Sequence, residues 1–527
     1  MPWYQSGLAV LLGAVLLPPL GILLLWLRPG VRIPLRIFGT LLIAILGLVQ
    51  LFQVYGLRME LDGAAVPRFF TFQSPEDRDR AIEESRAAQK AAHPPAAPFV
   101  PPASSPEPAP AARGVLGVSQ TPPVAAKPAP AAAPAPEAPR FRNYWTDFRG
   151  PNRMGHYEEQ PLLDKWPEQG LKRLWKHPVG GGYASFVIAD GMAFTIEQRR
   201  DQEVVAAYDL LTGTEKWTNS WKAHFSESMG GDGPRTTPVY DEGRIYALGA
   251  EGELRCIDAA TGQTVWNKNI LKENEAANLT WAQAASPLIS GGMLLTLPGG
   301  SKGRSVVAYR KTDGEILWTA LDDEQSYTSP VEVTLGGRRQ FLIVTATRVV
   351  GLAVGDGTLL WEFPWVTEYH VNASQPIVAG PDRFFISAGY GHGAALVELT
   401  PDGGRFTARA VWRNTRMKTK FNSPVLYQGH VYGLDEGILA CVELATGEQK
   451  WKGGRYGYGQ VLLAGGRLII LTEQGDLALV NATPAGHQQV SRFSAISGKT
   501  WNNPAISAGI LLVRNESEMA AFKVGVD

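Results

Sequence analysis

One repeated pattern between residues 171 and 527 constrains the fold of this chain more than any other feature. An apolar run leads into a turn that contains Gly, and a second run then ends in Trp. Five clear copies read AYDLLTGTEKW at 207–217, CIDAATGQTVW at 256–266, AYRKTDGEILW at 308–318, GLAVGDGTLLW at 351–361 and CVELATGEQKW at 441–451. The Gly supplies the positive φ that a tight hairpin requires. Each copy therefore predicts two antiparallel strands, with the Trp as an apolar plug between neighbouring units.

A second pattern, in which two small or polar residues come before Pro, precedes each copy. It reads TTPV at 236–239, ASPL at 285–288, TSPV at 328–331, SQPI at 374–377, NSPV at 422–425 and NNPA at 502–505. Pro at the start of a strand indicates a strand whose outer flank is unpaired, because Pro has no N–H to donate. Each unit then holds four strands in about 40–50 residues, which is the period of a propeller blade.

The number of units indicates how the ring closes. The aromatic residues that end the units are Trp175, Trp217, Trp266, Trp318, Trp361, Trp412, Trp451 and Phe493. Trp175 has no strands of its own before it, and the last unit, which starts at Trp501, lacks a closing strand. We therefore expect residues 172–179 to supply the outer strand of the last blade, which removes a free sheet edge. The predicted fold of 141–527 is an all-β, eight-bladed β-propeller.

Residues 1–58 predict a transmembrane hairpin. The stretches 7–27 and 37–57 carry no charged side chain, and each has the roughly 20 apolar residues needed to cross a bilayer. Pro18 and Pro19 predict a kink in the first span. The stretch has no basic n-region and no small-residue cleavage site, and a second span follows. We therefore expect an uncleaved anchor rather than a signal peptide.

The charges between the two spans predict the orientation of the anchor. Arg28, Arg32 and Arg36 lie there, and positively charged loops stay in the cytoplasm. Both ends of the hairpin should then face outward. We expect a two-span protein of a bacterial inner membrane with its propeller in the periplasm.

Two segments separate the anchor from the propeller. Residues 59–92 are charged, and Ser74 followed by Pro75 is typical of a helix start. The charges of this segment predict a solvated face rather than a binding surface. Residues 93–140 are rich in Pro and Ala and predict a disordered linker with polyproline II character, although a docking segment for a partner is an alternative.

The repeats resemble the PQQ-like (quinoprotein-type) β-propeller repeat family over about 171–527. The segment WTDFRGPNRMGH at 145–156 is similar to the lead-in of bacterial members of that family. The family contains quinone-dependent dehydrogenases and non-enzymatic scaffolds, among them the propeller subunit of the outer-membrane β-barrel assembly machinery. The resemblance therefore implies the fold and leaves the activity open.

Charge and cysteine content narrow the choice of function. The chain has 50 Lys and Arg against 50 Asp and Glu, which argues against nucleic acid as a partner because a binder needs a positive surface. Cys256 and Cys441 hold the same position in two copies of the repeat, in blades 2 and 6 of eight. They should lie across the ring from each other, too far apart for a disulfide. We expect two buried structural thiols.

The residues just before each inner strand are the candidates for ligand binding, because they face the central channel of a propeller. Arg235, Trp281, Lys420 and Trp501 lead this set, which could hold a flat anion between a stacking face and a charge. The other members are Tyr183, Tyr327, Asn372, Asn422, Tyr456, Tyr458 and Asn503. The alternative interpretation is that these are ordinary polar and aromatic loop residues at one face of the ring.

The resemblance implies a cofactor site that this chain matches poorly. Family dehydrogenases hold PQQ against two adjacent cysteines, and this chain has no such pair. They also carry a Ca²⁺ site of carboxylate and amide oxygens; by position alone, Glu197, Asn372 and Asp232 are the candidates for it. No C-x-x-C-H segment for haem attachment is present either. His224, His370 and His392 are isolated, which favours loop or packing roles.

Two functions remain in competition. The leading hypothesis is a non-catalytic, membrane-tethered periplasmic scaffold without a cofactor, with envelope proteins as partners and a role in envelope assembly. The alternative is a PQQ- and Ca²⁺-dependent dehydrogenase of an alcohol or a sugar. The long linker favours the scaffold, because an enzyme does not need such reach.

Overall fold

The apolar N-terminus forms three helices in the computed structural model, which describes residues 2–53, 56–92 and 141–526. The first two, α1 (Gly7–Leu16) and α2 (Pro18–Leu27), are separated by Leu17, whose φ of −150° and ψ of 85° are not helical. The break occurs here because Pro18 lacks an N–H and drives the preceding residue out of the α region. α1 and α2 then pack together where Gly13 meets Gly21.

The third helix, α3 (Ile33–Gln53), is the one helix in the described ranges that is long and apolar enough to cross a membrane. The prediction of two full-length spans is therefore wrong at 7–27. Ten helical residues rise only about 15 Å, half the thickness of the hydrocarbon core. The second predicted span, 37–57, overlaps α3, which begins four residues earlier, at Ile33, and ends at Gln53.

A small hairpin and a helix follow the anchor. β1 (Arg58–Leu61) pairs antiparallel with β2 (Pro67–Thr71). Asp62 closes the turn between them, since its Oδ1 accepts the N–H groups of Ala64 and Val66 at 2.9 Å each. α4 (Pro75–Ala92) begins where the Ser-Pro pattern predicts it, because the Ser74 hydroxyl accepts the N–H of Asp77 at 3.1 Å.

Residues 141–526 form a closed ring of eight blades, each a four-stranded antiparallel meander. Before the first blade lie β3 (His156–Tyr157) and β4 (Lys172–Pro178). Blade 1 contains β5 (Val187–Ala189), β6 (Met192–Arg199), β7 (Gln202–Asp209) and β8 (Glu215–Lys222), and the short hairpin of β9 (Ser226–Glu227) and β10 (Gly231–Asp232) follows it. Blade 2 contains β11 (Val239–Asp241), β12 (Arg244–Leu248), β13 (Glu253–Asp258) and β14 (Thr264–Asn269), with α5 (Ile270–Glu273) after it.

The next three blades repeat the arrangement. Blade 3 contains β15 (Leu288–Ser290), β16 (Met293–Thr296), β17 (Val306–Arg310) and β18 (Ile316–Ala320). Blade 4 contains β19 (Val331–Leu335), β20 (Arg338–Val344), β21 (Arg348–Ala353) and β22 (Leu359–Pro364). Blade 5 contains β23 (Ile377–Val378), β24 (Arg383–Ala388), β25 (Gly393–Asp402) and β26 (Arg405–Asn414).

The last three blades complete the ring. Blade 6 contains β27 (Val425–Tyr427), β28 (His430–Asp435), β29 (Ile438–Glu443) and β30 (Gln449–Arg455). Blade 7 contains β31 (Gln460–Ala464), β32 (Arg467–Leu471), β33 (Asp476–Asn481) and β34 (Gln489–Ser494), and β3 adds to β31 in parallel. Blade 8 contains β35 (Ala505–Ser507), β36 (Ile510–Arg514) and β37 (Glu518–Lys523). Its fourth strand is β4, which pairs with β37 and places Trp175 opposite Ala521. The predicted closure of the ring by 172–179 is confirmed.

The repeated Trp and Gly residues meet at the junctions between blades. Trp217 of blade 1 lies over Gly262 in the turn of blade 2, and its Nε1–H donates to the Ala259 carbonyl at 2.9 Å. A Cβ on Gly262 would come within 2.7 Å of the indole, so the ring as well as the φ of +74° requires Gly there. The same contact joins Trp175 to Gly213, Trp266 to Gly314, Trp318 to Gly357 and Trp412 to Gly447. The predicted role of the Trp residues as plugs between blades is confirmed.

The hydroxyl residue before Pro in TTPV, ASPL and TSPV has a role that the sequence did not reveal. The N–H of Ser185 donates to the Thr237 hydroxyl at 2.9 Å, and the N–H of Thr237 donates to the Ser286 hydroxyl at 2.8 Å. The N–H of Ser286 in turn donates to the hydroxyl of Ser329 at 2.9 Å. These bonds run from blade to blade around the channel and fix the spacing of the inner strands.

The two cysteines occupy equivalent strands of opposite blades, as the sequence predicts. Cys256 on β13 and Cys441 on β29 are both buried and unpaired. Each lies opposite a Tyr on the neighbouring strand, Tyr246 and Tyr432 respectively. Burial raises the pKa of each thiol to about 11, which is typical of unreactive structural cysteines.

Candidate functional site

The lead-in segment 145–156 lies across the central channel, and two of its arginines are buried there. Arg149 and Arg153 are about 1% and 2% exposed. Both adopt a left-handed backbone, with φ of +59° and +60°, and so does Asn152 between them. Such conformations are costly for residues other than Gly, and they persist where the surrounding contacts enforce them.

The buried arginines bind the main chain at the inner strands. Arg153 donates to the carbonyls of Ser286 and Pro330 at 3.1 and 2.9 Å, and it pairs with Asp147 at 2.8 Å. Arg149 donates to the carbonyls of Pro424 and Val461 at 3.3 and 3.4 Å. The two side chains therefore satisfy carbonyls of four different blades and close the channel. Burial lowers the pKa of Arg149 to about 10.

A chamber of about 280 Å³ lies on one side of this plug, and the residues before the inner strands form its wall. Arg235, Trp281, Lys420 and Trp501, the four leading candidates from the sequence, all line it. Phe148 of the lead-in segment also lines the chamber. Further aromatic lining comes from Tyr183, Tyr327, Tyr390 and Phe421.

Each of the two predicted cations already has protein partners. Arg235 donates to the Gly231 carbonyl at 2.8 Å, pairs with Glu227 at 3.3 Å, and stacks over Phe225 with its guanidinium carbon 4.7 Å from the ring centroid. Lys420 places its Nζ 4.7 Å from the ring centroid of Tyr458, with Glu436 at 3.8 Å. Their charge is therefore compensated within the protein.

Sequence reasoning missed a third cation and a buried carboxylate, both of which contact Trp501. Lys499 is about 5% exposed, and its Nζ lies 4.8 Å from the ring centroid of Trp501. Glu473 is fully buried and accepts the Nε1–H of Trp501 at 2.9 Å. Lys499 lies two residues before Trp501 in the same loop, so the selection of residues just before each inner strand could have included it. Glu473 lies after β32 rather than before an inner strand, and no sequence pattern marked it.

The entrance of the chamber is covered by the chain itself. Residues 61–65, at the tip of the β1–β2 hairpin, line the chamber together with the propeller residues. The N–H of Gly63 donates to Oε1 of Glu473 at 2.7 Å, and Nζ of Lys420 donates to the Gly63 carbonyl at 2.9 Å. Lys499 pairs with Glu60 on β1 at 3.4 Å. We call residues 58–92, the hairpin together with α4, the cover segment.

α4 binds the propeller where the ring closes. Arg86 donates to Glu215 of blade 1 at 3.1 Å and to the carbonyl of Pro178, the last residue of β4, at 3.2 Å. Glu83 pairs with Arg200 at 2.6 Å, and Arg78 pairs with Asp232 at 3.4 Å. The prediction that the charges of 59–92 form a solvated face is wrong, because these partners are distant in sequence and could not be read from it.

The residues on either side of 93–140 both lie on the propeller. α4 ends at Ala92 beside blade 1, and Phe141 packs near Gly191 in the same blade. Residues 93–140 lie outside the described residues, so their disorder stays a prediction. Because both of its neighbours lie on the propeller, this segment does not set the distance between α3 and the ring.

The three residues nominated for a metal lie in separate surroundings. Glu197 is fully buried on β6, accepts the N–H of Gly180 at 2.9 Å and pairs with Arg199. Burial alone would raise its pKa, but the guanidinium groups of Arg199, Arg514 and Arg86 lower it overall. The side-chain amide of Asn372 donates to the carbonyls of Thr345 and Ala346 at 3.0 and 3.1 Å. Asp232 instead pairs with the cover segment through Arg78, so the three do not fit one Ca²⁺ ion.

No group of three or more His, Cys, Asp or Glu side chains in the described ranges is arranged to hold a metal. The three histidines singled out from the sequence occupy different environments. His224 and His370 are exposed, while His392 packs edge-on against Trp365 at 4.3 Å. The residues nominated for Ca²⁺ and the three histidines therefore do not come together in the described ranges.

Comparison with known proteins places these features in a family context. A family model described as outer membrane protein assembly factor BamB matches residues 200–453. Proteins named outer membrane protein assembly factor BamB from Shewanella oneidensis and Burkholderia pseudomallei are each 23% identical to the chain, over 59% and 60% of it and over 80% and 90% of their own lengths. The repeats are PQQ-like propeller repeats.

One solved structure supports the fold. The quinohemoprotein alcohol dehydrogenase from Comamonas testosteroni aligns with a TM-score of 0.52 at 12% identity, over 73% of this chain and 81% of that one. BamB from Moraxella catarrhalis aligns with a TM-score of 0.49 at 14% identity, over 67% of this chain and 99% of that one. At such identities, the dehydrogenase match supports the propeller architecture and carries no information on activity.

Proposed function

We propose that this chain is a non-catalytic propeller scaffold for assembly of the bacterial envelope, held at the inner membrane by α3 with its propeller in the periplasm. The observation that carries the proposal is the covered chamber. Its entrance is filled by residues 61–65, and Arg235, Lys420 and Lys499 are paired with groups of the same chain. A small anionic substrate would have to displace those partners before it met a free charge.

Two further observations support the proposal. The curated relatives that match most of their own length are named as outer membrane protein assembly factors. Arg28 and Arg32 lie between α2 and α3, and Arg36 lies in the first turn of α3. These three arginines favour a cytoplasmic loop at that point and an external C-terminal part. Envelope proteins are the expected partners.

Deletion of the gene and complementation test the role in assembly. We expect lower amounts of β-barrel proteins in the outer membrane of the deletion strain and recovery with the full chain. A reporter fused after residue 526 should be active only outside the cytoplasm. Unchanged outer-membrane protein levels, with the reporter active outside, would reject the assembly role and keep the location.

The aromatic chamber also motivates the alternative, a PQQ-dependent dehydrogenase of an alcohol or a sugar. The rings of Trp281 and Tyr327 lie 5.7 Å apart, and those of Phe421 and Trp501 lie 4.6 Å apart, so the wall can stack a flat molecule. Titration of the solubilised full chain with PQQ and Ca²⁺, followed by absorbance and thermal shift, separates the two functions. We expect no change in either signal, and cofactor-dependent oxidation of any alcohol or sugar would overturn the scaffold.

A further inference from the structure

The hairpin tip is bound to the chamber entrance almost entirely through the main chain of one residue. Both polar groups of the Gly63 main chain are engaged, its N–H by Glu473 and its carbonyl by Lys420. A Cβ at this position would overlap the ring of Tyr458. The next two residues, Ala64 and Ala65, are exposed. The entrance therefore recognises a glycine through its main chain, and the side chains of the next two residues do not determine the binding.

The groups that bind the glycine are positioned by the propeller and not by the hairpin. Glu473 accepts the Nε1–H of Trp501 at 2.9 Å and the N–H of Tyr458 at 3.2 Å. Lys420 sits between the rings of Tyr390 and Tyr458, with Nζ 5.0 and 4.7 Å from their centroids. Since these contacts do not involve the hairpin, the site is formed before a turn enters it, which lowers the entropy lost on binding.

The turn is likewise formed without the propeller. Asp62 is about 5% exposed, accepts the two N–H groups that close the turn, and pairs with Arg68 of β2 at 3.2 Å. Two preformed parts thus meet through a few polar contacts. An acidic residue before the glycine is part of the recognised shape, because it holds the turn that presents the main chain of Gly63.

We propose that the chamber entrance is a binding site for an Asp-Gly turn of a β-hairpin, occupied in the resting chain by residues 58–71. A partner protein that presents the same kind of turn competes with this hairpin for Glu473 and Lys420. The attached hairpin has the advantage of a high local concentration, so the site stays closed until such a partner is abundant or held nearby. The partner role rests on the scaffold function proposed above, whereas binding of the turn does not.

A peptide with the sequence of residues 57–72, cyclised and labelled, tests the site on the solubilised full chain. Gly63→Val in the protein should release the hairpin, because the added side chain meets Tyr458. Ala64→Val is the matched control, since it adds a similar bulk at an exposed neighbour in the same turn. By fluorescence anisotropy we expect the Gly63→Val protein to bind the peptide at least tenfold more tightly than the wild type or Ala64→Val does.

Further arms of the test address specificity. A peptide that itself carries Gly63→Val should not bind, and Glu473→Gln added to the Gly63→Val protein should weaken binding at least tenfold. Equal binding of the wild-type and Gly63→Val proteins would overturn the proposal, and so would equal binding of the two peptides. These outcomes are independent of outer-membrane protein levels, so failure here leaves the proposed assembly role intact.

Hydrogen exchange on the wild-type chain keeps the proposal testable if Gly63→Val does not fold. The amide of Gly63 should be protected, because it donates to Glu473. An excess of the cyclic peptide should speed exchange in residues 58–71 while the blades stay protected. Unchanged exchange of the hairpin at saturating peptide would overturn the proposal.

Discussion

The propeller and the cover segment are held in place by different forces. Each pair of neighbouring blades shares a cluster of buried apolar side chains, such as Phe186, Leu471 and Leu512 where blades 7, 8 and 1 meet. In the cover segment, Ile82 is the one buried apolar side chain among residues 58–92. Ion pairs and hydrogen bonds join the segment to the ring at Gly63, Arg78, Glu83 and Arg86. Salt and charge-removing substitutions should therefore loosen the cover and spare the ring.

The largest effect should come from the apolar core of the ring. Trp361 is about 3% exposed, stacks on Phe384 at 5.2 Å and donates to Gln340 at 2.6 Å. Trp361→Ala should lower the free energy of unfolding by about 3–5 kcal/mol, because it leaves a cavity. Chemical denaturation measures this, and Trp217→Ala, at a half-buried junction, is the control with the smaller loss. Equal losses at both positions would mean that exposure does not decide the contribution.

A buried carboxyl should make the stability of the ring sensitive to pH. Burial raises the pKa of Glu203 from 4.5 to about 7. The folded ring then holds a proton that the unfolded chain releases, so stability is full below about pH 4.5 and falls as the pH rises to 7. The loss should be on the order of 3 kcal/mol. Thermal melts at pH 5 and pH 8 should differ less in Glu203→Gln, and an unchanged difference would assign the pH dependence to other groups.

A smaller effect is expected where the cover binds the closing strand. Arg86→Ala removes the contacts with Glu215 and Pro178 and should lower the free energy of opening α4 by about 1–3 kcal/mol. Hydrogen exchange of the α4 amides measures the opening. Arg80→Ala is the control, since the ion pair of Arg80 stays within α4, with Asp77. An equal drop in global unfolding free energy would show that the cover and the ring unfold as one unit.

The smallest effect should come from the exposed pair between Arg200 and Glu83, whose side chains are 54% and 57% exposed. Arg200→Ala should leave α4 exchange within error at about 1 M salt, because exposed pairs are screened there. At about 0.1 M salt a slight acceleration is expected. A large effect at high salt would mean that the cover does not depend on screened charges as described above.

The same division explains how much the sequence revealed. The blades could be predicted from the sequence because their contacts recur at a regular spacing. Trp217 contacts Ala259, only 42 residues away, and Trp266 makes the same kind of contact in the next unit. The closing strand followed from counting Trp175 as a unit without strands. The four leading candidates that line the chamber could be predicted because each comes just before an inner strand.

The missed features are contacts that occur once. Gly63 meets Glu473 across 410 residues, and Arg153 meets Ser286 across 133, so no repeat marks either one. The glycines at 150 and 155, both with positive φ, were a local signal that the lead-in segment bends sharply. They did not indicate that Arg149 and Arg153 enter the channel. The break at Leu17 was visible as a kink, but the packing of Gly13 on Gly21 that follows from it was not.

The docked cover also decides how far the ring can travel. While the cover segment is docked, only residues 54–57 separate the end of α3 from β1, so the chamber entrance stays close to α3. If the cover segment is released from the ring, residues 93–140 become part of the connection between α3 and the ring. These 48 residues can span at most about 160 Å. The contacts of the cover segment with the ring, at Gly63 and along α4, thus decide how far the ring can lie from α3.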